Sequence, residues 1–173
     1  MAPGSPTRSL VMRSPVGPLE LLARDGALVA IRFDAEPEAD PATATGPDGR
    51  NDVLEDARRQ LEEYFAGLRR VFDLPLAPTG TPFRQRVWAE LALVPWGRTT
   101  TYGALAAALG LPPGASRAVG AANGANPLPI VLPCHRVVGS DGTLTGYAGG
   151  LPRKAALLRL EGVATEADQA VLF

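Results

Sequence analysis

The chain has 173 residues, 46% of them apolar and 20% charged, which is enough apolar matter for one domain or a small and a medium pair and excludes wholesale disorder. Nineteen Gly and seventeen Pro without a period exclude a collagen-like chain and predict many turns, and no run of eighteen apolar residues exists to span a membrane. A net charge of −1 argues against a general polyanion binder, and one Cys with one His excludes an intrachain disulfide and the usual structural zinc sets.

The start, MAPGSPTRSL, lacks the apolar core of a secretory signal, so a cytoplasmic protein is expected. Ser9 to Phe33 reads as strands, with Leu19 to Ala23 and Ala27 to Phe33 flanking an Asp25-Gly26 hairpin turn. Residues 34–50, DAEPEADPATATGPDGR, are acidic and rich in Pro, Ala and Gly, and predict a flexible surface loop. A helix follows from about Asp52 to Ala66, capped by Asp52, with Leu54, Ala57, Leu61 and Phe65 on one face and Gly67 at its end. Pro75, Pro78 and Gly80 mark a connection between a domain over 1–79 and a second over 80–173.

In the second half, Thr81-Pro82 opens a helix to about Val94, with Phe83, Val87, Trp88 and Leu91 as its apolar stripe. Thr101 begins a shorter helix, Tyr102 to Leu109, ended by Gly110. After the turn LPPG, Ala115 to about Asn123 forms another, ended by Gly124. Two short helices across a tight turn have the grammar of a helix-turn-helix, which purely structural pairs share. The second helix is nearly bare: Ala115, Ala118, Gly120, Ala121 and Ala122 leave Arg117 as its only large polar side chain. Such a face suits close approach, either to another helix or to a nucleic-acid groove. Charge favours the groove. Residues 1–79 carry nine Arg against thirteen Asp and Glu, whereas 80–162 carry seven Arg and one Lys against three Asp and Glu, with −2 more in 163–173. Sixteen of the seventeen basic residues are Arg, a bias that genome composition explains.

The cluster Asn123-Gly124-Ala125-Asn126-Pro127 leads into Pro129 to Pro133, read as a short apolar strand pointing at Cys134 and His135. Adjacent residues on a strand face opposite ways, so a turn at Pro133 is required for both side chains to share one cavity. A free thiol titrates near 8.5 and needs a base or a positive field to act as a nucleophile. His135 is the one imidazole and Arg136 the nearest cation, and a carboxylate is then needed to fix the ring. Glu161 suits that role better than Asp141, in the turn Gly139-Ser140-Asp141-Gly142, or Glu90, on an early helix. Gly146 to Gly150 reads as a flexible loop able to bring backbone amides to a substrate, and Pro152 to Leu160 as the final helix. From these residues alone an inert buried thiol and a Cys–His hydrolase also stand.

The block NPLPIVLPCHRVVGSDGTLTGYAGGLPRKAALLRLEG, from Asn126 to Gly162, closely resembles the O6-alkylguanine-DNA alkyltransferases. The likeness extends upstream through TPFRQRVWAELALVPWGRTTTYGALAAALG and SRAVGAANGANP, and more weakly to SPVGPLELLARDGALVAIRF. The resemblance implies an α/β (α+β) chain, with a small mixed-sheet, ribonuclease-H-like N-terminal domain without that activity and a mostly helical C-terminal domain containing a helix-turn-helix. It implies irreversible, single-turnover transfer of an alkyl group from O6-alkylguanine in duplex DNA to Cys134, with base flipping, and O4-alkylthymine as a further candidate substrate.

By the same resemblance, His135 acts through a water as the base and Glu161 orients it. Asn126 joins the helix-turn-helix to the active-site segment. Tyr102 assists the leaving guanine, and Arg117 fills the vacated stack from a helix lying in the minor groove, where Ala118 and Ala121 permit close approach. Ser140 lies near the DNA backbone, and Val137, Tyr147 and Ala148 line the guanine pocket. Human-type members carry serine where this chain has Ala148, leaving only the backbone amide there. No cofactor and no zinc are implied, and the expected protein is a monomer, with cooperativity on DNA open. A lesion binder lacking the cysteine is disfavoured because Cys134 is present, and a transcription regulator because Arg117 stands almost alone where several base-reading side chains are needed.

Overall fold

A computed structural model describes residues 6–36 and 52–165. The acidic segment expected to form a loop lies, from residue 37 to 50, outside the described residues. The chain divides into two compact units, Met1–Thr79 and Gly80–Phe173.

The first unit is built on an antiparallel meander of β1 (Arg8–Met12), β2 (Leu19–Arg24) and β3 (Ala27–Phe33). Asp25 and Gly26 join β2 to β3 with φ of 51° and 77°, the two positive values of a type I′ turn that Asp-Gly adopts readily. A register shift between Leu22 and Ala23 accompanies a run of three consecutive buried residues in β2, Leu21 to Ala23. Leu28 makes a parallel bridge to Leu76, its N–H donating to Pro75 O at 2.8 Å and its carbonyl accepting from Ala77 N at 2.9 Å, so the sheet is mixed. Helix α1 (Val53–Phe65) packs on β2 and β3. Asp52 caps it by accepting from the Leu54 N–H and also pairs with Arg8. Its buried face is Leu54, Ala57, Leu61 and Tyr64, not the expected Phe65: both aromatics fit the helical spacing, and Tyr64 is the one that packs against Phe72. Gln60, also buried, exchanges two hydrogen bonds with the backbone of Asp73 and so ties the connecting segment to α1.

The second unit runs α2 (Pro82–Leu91), β4 (Thr100–Thr101), α3 (Tyr102–Ala108), α4 (Ser116–Gly124), β5 (Val137–Val138) and α5 (Leu151–Leu160). Thr81 and Thr101 cap α2 and α3, their hydroxyls accepting from Arg84 N and Ala104 N. Helix α2 stops at Leu91, three residues before its expected end, and continues as tight i→i+3 turns to Val94. Helix α4 includes Gly124 and ends at Ala125, so Gly124 is not its terminator. Trp88 locks α2 against α4 by donating from Nε1 to Ala122 O at 2.8 Å in the core. Gly80 permits that indole position: a Cβ there would stand 2.4 Å from its ring. Helices α3 and α4 form the helix-turn-helix pair, and β4 pairs in parallel with β5 through Thr100 opposite Val137. No helix among the described residues is long and apolar enough to cross a membrane.

Candidate active site

The segment leading to Cys134 is a chain of turns, not the expected strand over 129–133. Asn126 causes this. Its Oδ1 accepts from Leu128 N at 2.9 Å and its Nδ2 donates to Leu132 O at 2.8 Å, so a side chain takes the backbone partners a ladder would supply. Leu132 N closes an i→i+4 turn on Leu128 O at 2.8 Å, with buried Ile130 inside it at φ 76°. A β-branched residue in the left-handed region costs about 1–2 kcal/mol and persists only where its surroundings impose it. Pro133, at φ −79° and ψ 65°, then makes an inverse γ-turn, with Cys134 N on Leu132 O at 2.7 Å. Cys134–Arg136 follow as one 3-10 turn closed by Arg136 N on Pro133 O at 3.0 Å.

All three side chains of that turn are buried. His135 Nε2 lies 2.7 Å from Glu161 Oε1. Arg136 grips the same carboxylate from Nε and Nη2, each at 2.8 Å, and donates from Nη1 to Val94 O at 2.6 Å. Arg136 therefore serves Glu161 and not the sulfur, a correction to its expected place as the cation nearest the thiol. A carboxylate held on both edges by guanidinium accepts only, so His135 donates from Nε2 and presents an unprotonated Nδ1. That Nδ1 is buried without a hydrogen-bond partner among the described residues, and no direct sulfur–imidazole bond forms.

Burial pushes the Cys134 thiol up to about 11, against the opposing pull of the Asn126 amide, the Lys154 charge and nearby backbone N–H groups. Burial draws His135 below its ordinary value. Glu161 counters this, and Arg136 and Lys154 reinforce it. A predicted consequence is acid sensitivity. Below about pH 6.5 the unfolded chain binds a proton that the folded imidazole refuses, so stability present above that pH is lost as it falls, by up to about 1.4 kcal/mol per unit. His135 is the one histidine of the chain. The urea midpoint should fall between pH 7 and 5.5 and stay flat in His135→Gln, whereas equal falls in both would assign the effect to carboxylates.

Tyr102, first residue of α3, is half-buried, and its hydroxyl donates to Thr145 O at 3.2 Å. The parallel β4–β5 pairing puts that helix start level with the residue that follows β5, one strand's length past the 3-10 turn. Tyr147 is charge-coupled to Cys134 and Glu161, and burial raises its phenol. Val137 is fully buried, and its N–H donates to Cys134 O. Ala148 is exposed on the adjoining loop, and Ser140 at the tip of the turn closed by Gly142 N on Gly139 O. Arg117, Ala118 and Ala121 form an exposed face of α4, with Val119, Ala122 and Asn123 on the buried side.

Two groups went unremarked as site residues in the sequence reading. Asn123 is buried and its Nδ2 approaches Cys134 O at 3.4 Å, joining α4 to the backbone of Cys134. Lys154 on α5 is fully buried beside the Thr145–Gly146 carbonyls. Its singularity as the one Lys among Arg residues was the available signal.

Comparison with known proteins finds matches across both units. The family described as 6-O-methylguanine DNA methyltransferase, DNA binding domain, matches residues 82–163, and its ribonuclease-like domain matches residues 8–78. The methylated-DNA–protein-cysteine methyltransferase of Mycobacterium tuberculosis (strain ATCC 25618 / H37Rv) is 46% identical over 155 residues, covering 90% of this chain and 92% of the relative. That of Methanosarcina acetivorans is 44% identical over 152 residues, covering 88% and 96%. The crystal structure of Mycobacterium tuberculosis OGT in complex with DNA superposes with a TM-score of 0.76 at 42% identity, covering 96% of this chain and 99% of that one. The chain belongs to the methylated-DNA–protein-cysteine methyltransferases, the enzymes that repair DNA by alkyl transfer.

Proposed function

We propose that Cys134 accepts an alkyl group from O6 of guanine in duplex DNA, once per chain, using His135 and Glu161 to ionise it. The observation that carries the reading is the His135–Glu161 contact at 2.7 Å beside an imidazole nitrogen left open on the buried side. With the thiol near 11, only about one in 10⁴ is thiolate at pH 7, so a local base is required. His135 Nδ1 takes the thiol proton through one water. Sγ then attacks the alkyl carbon in line, the S–C bond forms as the C–O6 bond breaks, and the Tyr102 hydroxyl protonates the departing guanine anion. Tyr102 recovers its proton from the imidazolium by way of solvent. The thioether left on Cys134 has no leaving route, which makes the reaction stoichiometric.

The target carbon is unreachable inside a stacked duplex, so the nucleotide is extruded toward Cys134 at a few kcal/mol. The exposed Ala118–Ala121 face of α4 suits a close minor-groove approach, with Arg117 entering the gap and contacts mostly to backbone. Residues 80–173 thus carry both DNA binding and chemistry, and 1–79 serve as a scaffold. Titrating the protein with duplex bearing labelled O6-methylguanine should plateau near one methyl per chain with the label on Cys134. Sustained turnover, or transfer surviving in Cys134→Ala, would refute the assignment.

A further inference from the structure

Lys154 stands out on two independent counts. It is the one lysine in a chain whose other sixteen basic residues are arginine. It also has none of its surface exposed, and no carboxylate lies within ion-pair distance of it among the described residues. Taking an ammonium out of water without a counter-charge costs several kcal/mol, so an unpaired buried lysine calls for a function.

Its contacts indicate which. Nζ donates to Thr145 O at 2.7 Å and to Gly146 O at 3.4 Å. The same Thr145 carbonyl accepts the Tyr102 hydroxyl at 3.2 Å, and Thr145 Oγ1 lies 3.3 Å from that phenol oxygen. One carbonyl thus joins the lysine to the tyrosine. Lys154 and Glu161 stand two turns apart along α5 and its C-cap, on one face, so a single helix supplies both groups to the site. Helix α5 packs on the Cys134–Arg136 turn, and across that packing Lys154 and Cys134 each favour the charged form of the other. Tyr147 also feels the Cys134 charge, together with Arg153 and Glu161, while Lys154, Arg136 and Glu161 act on His135. A compact ammonium suits this place better than the planar, five-donor guanidinium used everywhere else in the chain.

Resting on the assignment of Cys134 as nucleophile, we propose that Lys154 is a positioning residue for the transfer: its buried ammonium steadies the thiolate as it forms and, through the Thr145 carbonyl shared with Tyr102, fixes the loop that aims the phenol at the leaving base. Burial lowers the ammonium to about 8, so the steadying charge is present at neutral pH and lost in alkaline solution.

The test uses Lys154→Met in the full chain and follows Cys134 alkylation by iodoacetamide against pH. Lys154→Met should slow alkylation roughly tenfold near pH 7, where the ammonium is present, and the two proteins should converge well above pH 8, where it is lost. An unchanged rate at pH 7 would overturn the electrostatic half. In parallel, Tyr102→Phe should slow transfer from free O6-benzylguanine several-fold in the parent but less than about twofold in the Lys154→Met background, because the two side chains share one acceptor. Independent losses would overturn the loop half. If Lys154→Met fails to fold by circular dichroism, Lys154→Gln decides the same points. It is neutral yet keeps a donor for Thr145 O, so the rate at pH 7 should fall while the Tyr102 coupling survives. Iodoacetamide needs no alkyl transfer, so a parent protein that takes no label from O6-methylguanine duplex sinks the functional reading while this readout still decides on Lys154.

Discussion

Glu161→Gln should lower unfolding stability by about 3–5 kcal/mol and slow methyl transfer by roughly 10² or more. The carboxylate is buried and accepts from three donors, one on His135 and two on Arg136. Glutamine is nearly isosteric but neutral, and its amide nitrogen faces a donor whichever way it turns. The guanidinium then stays in the interior without its counter-charge, and the penalty is the cost of that stranded ion. Transfer suffers separately, because the imidazole loses the acceptor that fixes its tautomer. Urea unfolding and single-turnover transfer read the two losses.

The double variant Glu161→Gln/Arg136→Met separates them. Methionine removes the stranded charge at similar volume, so stability should return by 1–4 kcal/mol while transfer stays slow. Stability of Glu161→Gln within about 1 kcal/mol of the parent would show that the ion pair does not hold the turn. Recovery of transfer in the double variant would reduce Glu161 to a structural partner of Arg136.

Legibility in the sequence followed the range of the interaction. The Asp25-Gly26 turn and the caps Asp52, Thr81 and Thr101 act within three residues, and each stands where its local chemistry puts it. The segment before Cys134 was misread because an apolar run flanked by prolines has the composition of a strand. Asn126, six residues from its acceptor Leu132, converts it to turns, and no periodicity reports a side chain replacing a ladder. Tyr64 displaced Phe65 from the core of α1 since both are aromatic and one residue apart, so only the packing partner decides between them. The Arg136–Glu161 grip spans twenty-five positions. Arg136 was legible as a cation near a thiol, but its partner depended on where α5 ends. Choosing Glu161 rested on elimination, since the basic half offers only two other carboxylates, and the resemblance supplied its role. Lys154 escaped because a lysine in an amphipathic helix ordinarily faces water, and its burial is a property of how α5 packs.

Arg117→Ala should slow repair of O6-methylguanine in duplex DNA by about 30–150-fold and leave attack on free O6-benzylguanine within about twofold. Arg117 is exposed at the start of α4, beside a face of Ala118 and Ala121 that offers no other large side chain to a nucleic acid. On the proposed base-flipping path, that guanidinium is the group at this face able to offset the nucleotide's lost stacking. Flipping costs a few kcal/mol, and losing about 2–3 of them gives the stated range. A free base needs no flipping, so its rate reports the transfer chemistry without extrusion. A mere phosphate contact behaves differently: it would weaken binding to damaged and undamaged duplex alike and reduce the salt slope by about one. Arg117→Lys discriminates further, since it keeps the charge but loses the plane that stacks, and should fall between parent and alanine. Placing the lesion in single-stranded DNA removes most of the extrusion cost, so the alanine variant should recover there. Equal slowing on duplex, single strand and free base would instead place Arg117 in the chemistry of Cys134 and remove it from the stack.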